Sequence, residues 1–129
     1  MRRVVLDTNI LVSALWSESG CPAKVFEMFI KGEIVLCYDS RIMTEYKGVL
    51  NRPQFAFKHT KIGGIINRIR KDGIAVVTKP CDIAFEDEDD RMFYEVAKEC
   101  NATLITGNTR HYPAEPFVQT AAEFLAEYH

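Results

Sequence analysis

The stretch RVVLDTN, residues 3–9, is a short apolar run that ends abruptly in three polar residues, Asp7, Thr8 and Asn9. Four residues from Arg3 to Leu6 are too few for a helix of their own, and Val4 and Val5 are β-branched, so the run reads as a buried strand followed by a polar turn. The next apolar residues, Ile10 to Leu15, begin a helix. A strand buried along its whole length, then a turn, then a helix is how a parallel α/β sheet begins.

The same alternation continues outward from that stretch. Pro22 to Lys31 carries Val25, Phe26 and Phe29 at helical spacing and stops at Gly32. Glu33 to Tyr38 is a second strand, and Asp39-Ser40 caps a helix from Arg41 to Asn51 whose apolar residues Ile42, Met43, Tyr46, Val49 and Leu50 share a face. Arg52-Pro53 breaks it. A helix over Thr60 to Lys71, a third strand over Ala75 to Thr78, and an acidic run, 86–90, that leads into a helix to Cys100 follow. Thr103 to Thr106 is a fourth strand, Phe117-Val118 a short fifth, and Thr120 caps a last helix with Phe124, Leu125 and Tyr128. The expectation is an α/β fold with a mostly parallel central sheet and helices on both faces, forming one domain over residues 1–129.

Composition fits that picture. The 129 residues are 47% hydrophobic and 26% charged, enough for one sizeable core. A formal net charge of −2 argues mildly against a large nonspecific DNA-binding surface. Cys21, Cys37, Cys81 and Cys100 form no C-x-x-C pair, so they read as reduced thiols of a cytoplasmic protein, Cys37 and Cys100 in the core. The N-terminal apolar run is too brief for a signal peptide, and no segment has the length of a membrane span.

Ligands of such sheets bind beyond the carboxyl ends of the strands. Asp7 and Asn9 follow the first strand, Asp39 and Ser40 the second, Thr106 and Asn108 the fourth. Glu45 lies three residues after Ile42 and four before Val49, at the edge of its helix's apolar face. Asp90 lies three before Phe93, again on the apolar side. Carboxylates there are expensive to bury alone. Asp7, Glu45 and Asp90 therefore point to one cleft with a hard cation, Mg²⁺ or Mn²⁺, that activates water against a phosphodiester. Plainer roles stand beside this one. Asp7 could cap the following helix, Glu45 could be a solvated acid, and the run 86–90 could be a solvated helix start that favours the macrodipole. His59, His111 and His129 read as surface residues. No P-loop, dinucleotide, G-x-S-x-G or H-E-x-x-H motif is present.

The motifs resemble a known family. VVLDTNILVSAL at 4–15 is similar to the opening motif of PIN domains, SRIMTEYKGVLNRPQF at 40–55 to their second, and EDEDDRMFYEVAKECNATLITGN at 86–108 to their third and fourth. The VapC-like toxins of toxin–antitoxin pairs are the nearest group. The resemblance implies a three-layer α/β/α fold, Mg²⁺- or Mn²⁺-dependent endoribonuclease activity on an RNA substrate, a homodimer and a cognate antitoxin protein. It makes Asp7, Glu45 and Asp90 the catalytic and metal-holding acids. Asp87 is a supporting acid, and Asn9, Ser40 and Thr106 are polar residues lining the site. Many members carry a fourth acid after the fourth strand. Here the turn reads TGNTRHYP, with Asn108 and His111 in that region and Asp89 as the local substitute.

Two other functions remain compatible with these residues: a PIN-fold binding module with weak or no catalysis, and a PIN-like nuclease acting on DNA. Three acids of an expected four favour the ribonuclease. Candidate RNA contacts are Arg2, Lys24, Arg41, Lys47, Arg91 and Arg110. The helix over 60–71 adds its own argument for a homodimer. Gly63 and Gly64 each cost about 1 kcal/mol relative to Ala in a helix interior, so packing on Ile62, Ile65, Ile66 and Ile69 has to support it.

Overall fold

A computed structural model describes residues 1–128; His129, read above as a surface residue, lies outside the described residues. Five strands form one sheet: β1 (Arg2–Leu6), β2 (Ile34–Tyr38), β3 (Ile74–Ala75), β4 (Thr103–Ile105) and β5 (Val118–Gln119), in the order β3-β2-β1-β4-β5. Every pairing is parallel, so the sheet is wholly rather than mostly parallel. On β1, Val4 faces Leu36 of β2 and Thr103 of β4 across the ladders. Val4, Val5 and Leu6 have no exposed surface, so both faces of the central strand are covered, as a parallel sheet requires.

Six helices cover it: α1 (Thr8–Trp16), α2 (Cys21–Ile30), α3 (Ser40–Leu50), α4 (His59–Asp72), α5 (Arg91–Cys100) and α6 (Ala121–Glu127). α5 packs across β1, β2 and β4 and is buried on nearly every side, through Met92, Phe93, Tyr94, Val96, Ala97 and Cys100. It ends at Asn101, whose φ of 52° lies in the left-handed region that asparagine tolerates. At α6, Thr120 and Glu123 form a reciprocal capping box. Gly73 stands at the end of α4, where a Cβ would lie 2.4 Å from the Ile69 carbonyl and 2.8 Å from that of Leu36, so only glycine fits. All four cysteines are free thiols, Cys37 and Cys100 buried. Among the described residues no helix is long and apolar enough to cross a membrane.

Two expectations need correction. The third strand covers Ile74–Ala75, not 75–78: Val76 donates one more ladder bond to the Tyr38 carbonyl, after which Val77 is 92% exposed and the chain leaves the sheet. The fifth strand is Val118–Gln119, one residue later than expected. The acidic run leads into a helix as expected, through a 3-10 turn over Glu88–Asp90, with Asp90 at its junction with α5.

Candidate active site

Asp7 is the residue between β1 and α1, and its backbone N–H still donates to the Ile105 carbonyl at 2.9 Å. It occupies the N-cap position of α1, yet its side chain makes no capping bond. Instead Oδ2 accepts from the Thr106 hydroxyl at 2.8 Å and the Tyr112 phenol at 3.0 Å. The carboxylate is buried and aimed across the sheet edge at the residues after β4, so the helix-cap role does not describe it.

Glu45 is half-buried on α3, and its Oε2 accepts from the Thr8 hydroxyl at 2.5 Å. The neighbouring Tyr46 is buried, with its phenol donating to the Leu6 carbonyl at 2.5 Å. This bond ties α3 to the last residue of β1 and so fixes where Glu45 stands relative to Asp7.

Asp90 is half-buried at the start of α5, with Oδ2 3.5 Å from His111 Nδ1. Burial first, then the negative charges of Asp7 and Asp87, push its carboxyl up to about 6; His111 opposes them and Asp89 adds to them. The Tyr112 phenol is also held well above its usual range, by burial and then by Asp7, Asp90, its bond to Asp7, and Glu45. It therefore stays a donor. The Asp7 charge thus acts on both Asp90 and Tyr112, and Asp90 and Glu45 act on Tyr112.

The supporting residues divide into two groups. Thr106 touches Asp7 directly and accepts from the Asn108 backbone N–H at 3.1 Å, while the Asn108 amide lies 2.9 Å from His111 Nε2. Asp87 caps the 3-10 turn by accepting from the Asp89 N–H at 2.9 Å, and so shapes the approach of Asp90. Asn9 and Asp89 are exposed. Ser40 is exposed too, and with Arg41, Thr78 and Glu95 it lines a hollow of about 270 Å³.

Among the described residues no three His, Cys, Asp or Glu side chains stand close enough to hold an ion as a cluster. Glu45 is committed to Thr8. The donor set is nevertheless one of hard oxygens, which suits Mg²⁺: that ion is bound through one or two carboxylates and keeps several waters. Asp7 and Asp90 fit that requirement, with Glu45 in a supporting position. The excess negative charge around Asp90 is the electrostatic condition a cation relieves.

Sequence reasoning missed Tyr112, Tyr46 and Glu95. Tyr112 lies in the turn TGNTRHYP, where attention to a missing acid hid a phenol. Tyr46 sits on the apolar face of α3, where a tyrosine reads as packing. Glu95 is a buried carboxylate inside α5, with Oε1 accepting from Arg41 Nη1 at 2.8 Å and Oε2 from the Cys81 N–H at 2.7 Å. Two candidate RNA contacts are partly committed elsewhere. Arg41 is paired with Asp39 and Glu95, and Arg91 with Glu88.

A parallel sheet in the order 3-2-1-4-5 places Asp7 just after β1 and Asp90 at the start of α5, close enough for the Asp7 charge to raise the Asp90 carboxyl, with Glu45 on α3. The sequence profile of the PIN domain matches residues 3–110, and the chain belongs to the PIN-domain family. PIN domains are generally nucleases. An uncharacterized protein of Methanocaldococcus jannaschii is 33% identical over 114 residues, covering 82% of this chain and 70% of the relative. No solved structure matches the chain.

Proposed function

We propose that this protein is a Mg²⁺- or Mn²⁺-dependent endoribonuclease, acting as the toxin of a toxin–antitoxin pair and working as a homodimer. The observation that carries the nuclease reading is Asp7 held by Thr106 and Tyr112 beside Asp90, with Glu45 anchored by Thr8. Asp7 and Asp90 would hold the ion. When bound, it supplies a Lewis acid and an activated water at neutral pH.

The protein's own groups do the rest. Thr106 and Tyr112 occupy one oxygen of Asp7 and leave the other for the ion. Half-buried Glu45 is placed to orient a water or a substrate hydroxyl. His111, 3.5 Å from Asp90, borders the same edge of the site. The toxin assignment and the antitoxin rest on the resemblance of the three motifs.

The test is cleavage of labelled single-stranded RNA with Mg²⁺, Mn²⁺ or EDTA, by the wild type and Asp7→Asn. Cleavage that needs the metal and drops by orders of magnitude in the variant is expected. Equal cleavage by Asp7→Asn, or none by the wild type with either metal, overturns the reading.

A further inference from the structure

The chain's single tryptophan is exposed. Trp16, at the last turn of α1, is 62% accessible, and Phe55 and Phe57, both half-buried, close around it. Trp16 meets them edge-on at 5.8 and 5.9 Å between centroids, while Phe55 and Phe57 stack on each other at 5.8 Å. Val12, Ser13 and Ser17 complete a hollow of about 340 Å³ beside Trp16 and Phe55.

Charge is distributed unevenly around this cluster. Residues 46–71, which contain both phenylalanines, hold seven of the sixteen Lys and Arg and none of the eighteen Asp and Glu. Arg52, Lys58 and Lys61 flank the rings and are exposed. The rest of the chain holds nine cations against all eighteen acids. A near-neutral total therefore hides a strongly basic lobe on an acidic body. Asp7, Asp87 and Asp89 stand around Asp90 at the candidate active site, where a polyanion would be repelled without help.

We infer that Trp16, Phe55 and Phe57 form a stacking platform for bases of a single-stranded RNA whose phosphates are held by Arg52, Lys58 and Lys61. An exposed indole set against two half-buried rings and among three exposed cations, with Glu18 as the one acid close to it in the chain, is the chemistry by which proteins hold single strands without reading sequence. A peptide partner matched by charge would have to be acidic; the exposed Trp16 indole favours bases. The platform is linked to the site along α1. Asn9, Ser13 and Trp16 lie at i, i+4 and i+7 on one accessible stripe, and Thr8, which holds Glu45, is about 12 Å from Trp16 along the axis. This inference rests on the ribonuclease reading and names its substrate class and anchoring surface.

Because Trp16 is the chain's lone tryptophan, its emission reports the platform directly. The experiment titrates the full chain with a 12-nucleotide oligouridylate in EDTA at low salt, so that binding is read without cleavage. Saturable quenching is expected, weakened by added salt and at least tenfold weaker for a duplex. By anisotropy of labelled oligouridylate, Trp16→Ala and Phe57→Ala should bind roughly 5- to 150-fold more weakly, the range set by one lost stacked base. Lys58→Glu with Lys61→Glu should weaken binding and flatten its salt dependence without touching the rings. Unchanged Trp16 emission, wild-type binding by Trp16→Ala, or no oligouridylate binding overturns the platform. So does sedimentation showing that the chain self-associates through Trp16 and that Trp16→Ala makes it monomeric. RNA cleavage without a Trp16 response sinks the platform alone. A full Trp16 response without metal-dependent cleavage sinks the nuclease reading and leaves the platform standing.

Discussion

Tyr112 reaches back 105 positions to donate a 3.0 Å hydrogen bond to Oδ2 of Asp7. Burial first, and then the negative charges around it, hold the phenol protonated. The bond therefore survives across the working pH range and fixes the orientation of the carboxylate at the end of β1.

Tyr112→Phe should accordingly cost about 1.5 kcal/mol of folding stability, the scale of a hydrogen bond to a charged group. Cleavage should fall roughly ten- to a hundredfold, since a carboxylate free to turn misplaces the reacting groups. Urea denaturation and single-turnover RNA cleavage measure the two effects. Wild-type values in both would make Tyr112 a space-filling ring and nothing more.

Glu95 predicts a different behaviour. Burial pushes its carboxyl up, but the Arg41 guanidinium and the Cys81 N–H outweigh that and hold it below its usual range. Arg41 also reaches Thr78 at 3.0 Å, and Arg91 donates to the Cys81 carbonyl at 2.8 Å, so the pair straps residues 78–81 onto α5. Glu95 is buried but the Arg41 side chain is 43% exposed, so solvent screens the pair and Glu95→Ala should lose about 1 to 2 kcal/mol, less than the roughly 3 kcal/mol or more of a fully buried pair. The stabilisation is present above the ordinary glutamate range and lost as pH falls through the lower folded value. The variant's deficit should therefore shrink in acid. Limited proteolysis should find new cutting within 76–87; an uncut, fully stable variant would show that the strap holds without Glu95.

The α/β alternation and the acids at strand ends were legible in the sequence because they are local. Val4-Val5-Leu6 followed by Asp7-Thr8-Asn9 is a pattern of neighbours, and so is the capping pair Thr120 and Glu123. What was not legible depends on long loops closing. The Tyr112–Asp7 and Thr106–Asp7 bonds join residues 105 and 99 apart, and no spacing rule encodes them. Glu95 sits amid the apolar face of α5, where periodicity alone reads it as an intruder; its partner Arg41 lies 54 residues away. The third strand was overestimated because β-branched Val76 and Val77 favour extension, while the sheet has only an edge for them to follow.

Gly63 and Gly64 bear on the homodimer. Neither has a neighbour within 4 Å of where a Cβ would stand, so within one chain nothing requires glycine at either place. In an isolated chain, Gly63→Ala and Gly64→Ala should each raise stability by about 1 kcal/mol. If two copies meet closely through α4, the same substitutions should lower stability and shift the protein toward monomer. Thermal melts at two protein concentrations with light scattering separate the cases. Monomer at high micromolar concentration would exclude the dimer.

Asp90 ties the site to pH. Its folded-state carboxyl is raised from 3.8 to about 6, so the fold prefers it neutral. That contribution to stability is fully present below about 3.8 and is lost as pH rises through about 6. In EDTA, the protein's melting temperature should therefore carry a component that declines from pH 4 to pH 7. Asp90→Asn should remove that component, and Asp7→Asn should reduce it, because the Asp7 charge is one of its main causes. Asp7→Asn should then melt at or above the wild type in EDTA at pH 7. Mn²⁺ should reverse the order. An ion bound only to the folded state adds about 2.7 kcal/mol at a hundred times its Kd, and the wild type, with both carboxylates, should gain more than either variant. The gain should be larger at pH 7 than at pH 5, where Asp90 must first give up its proton to bind. Melts across that pH range, with EDTA and with Mn²⁺, decide the matter: an Asp7→Asn variant that melts well below wild type in EDTA would make Asp7 a structural residue and remove the carboxylate pair from the argument.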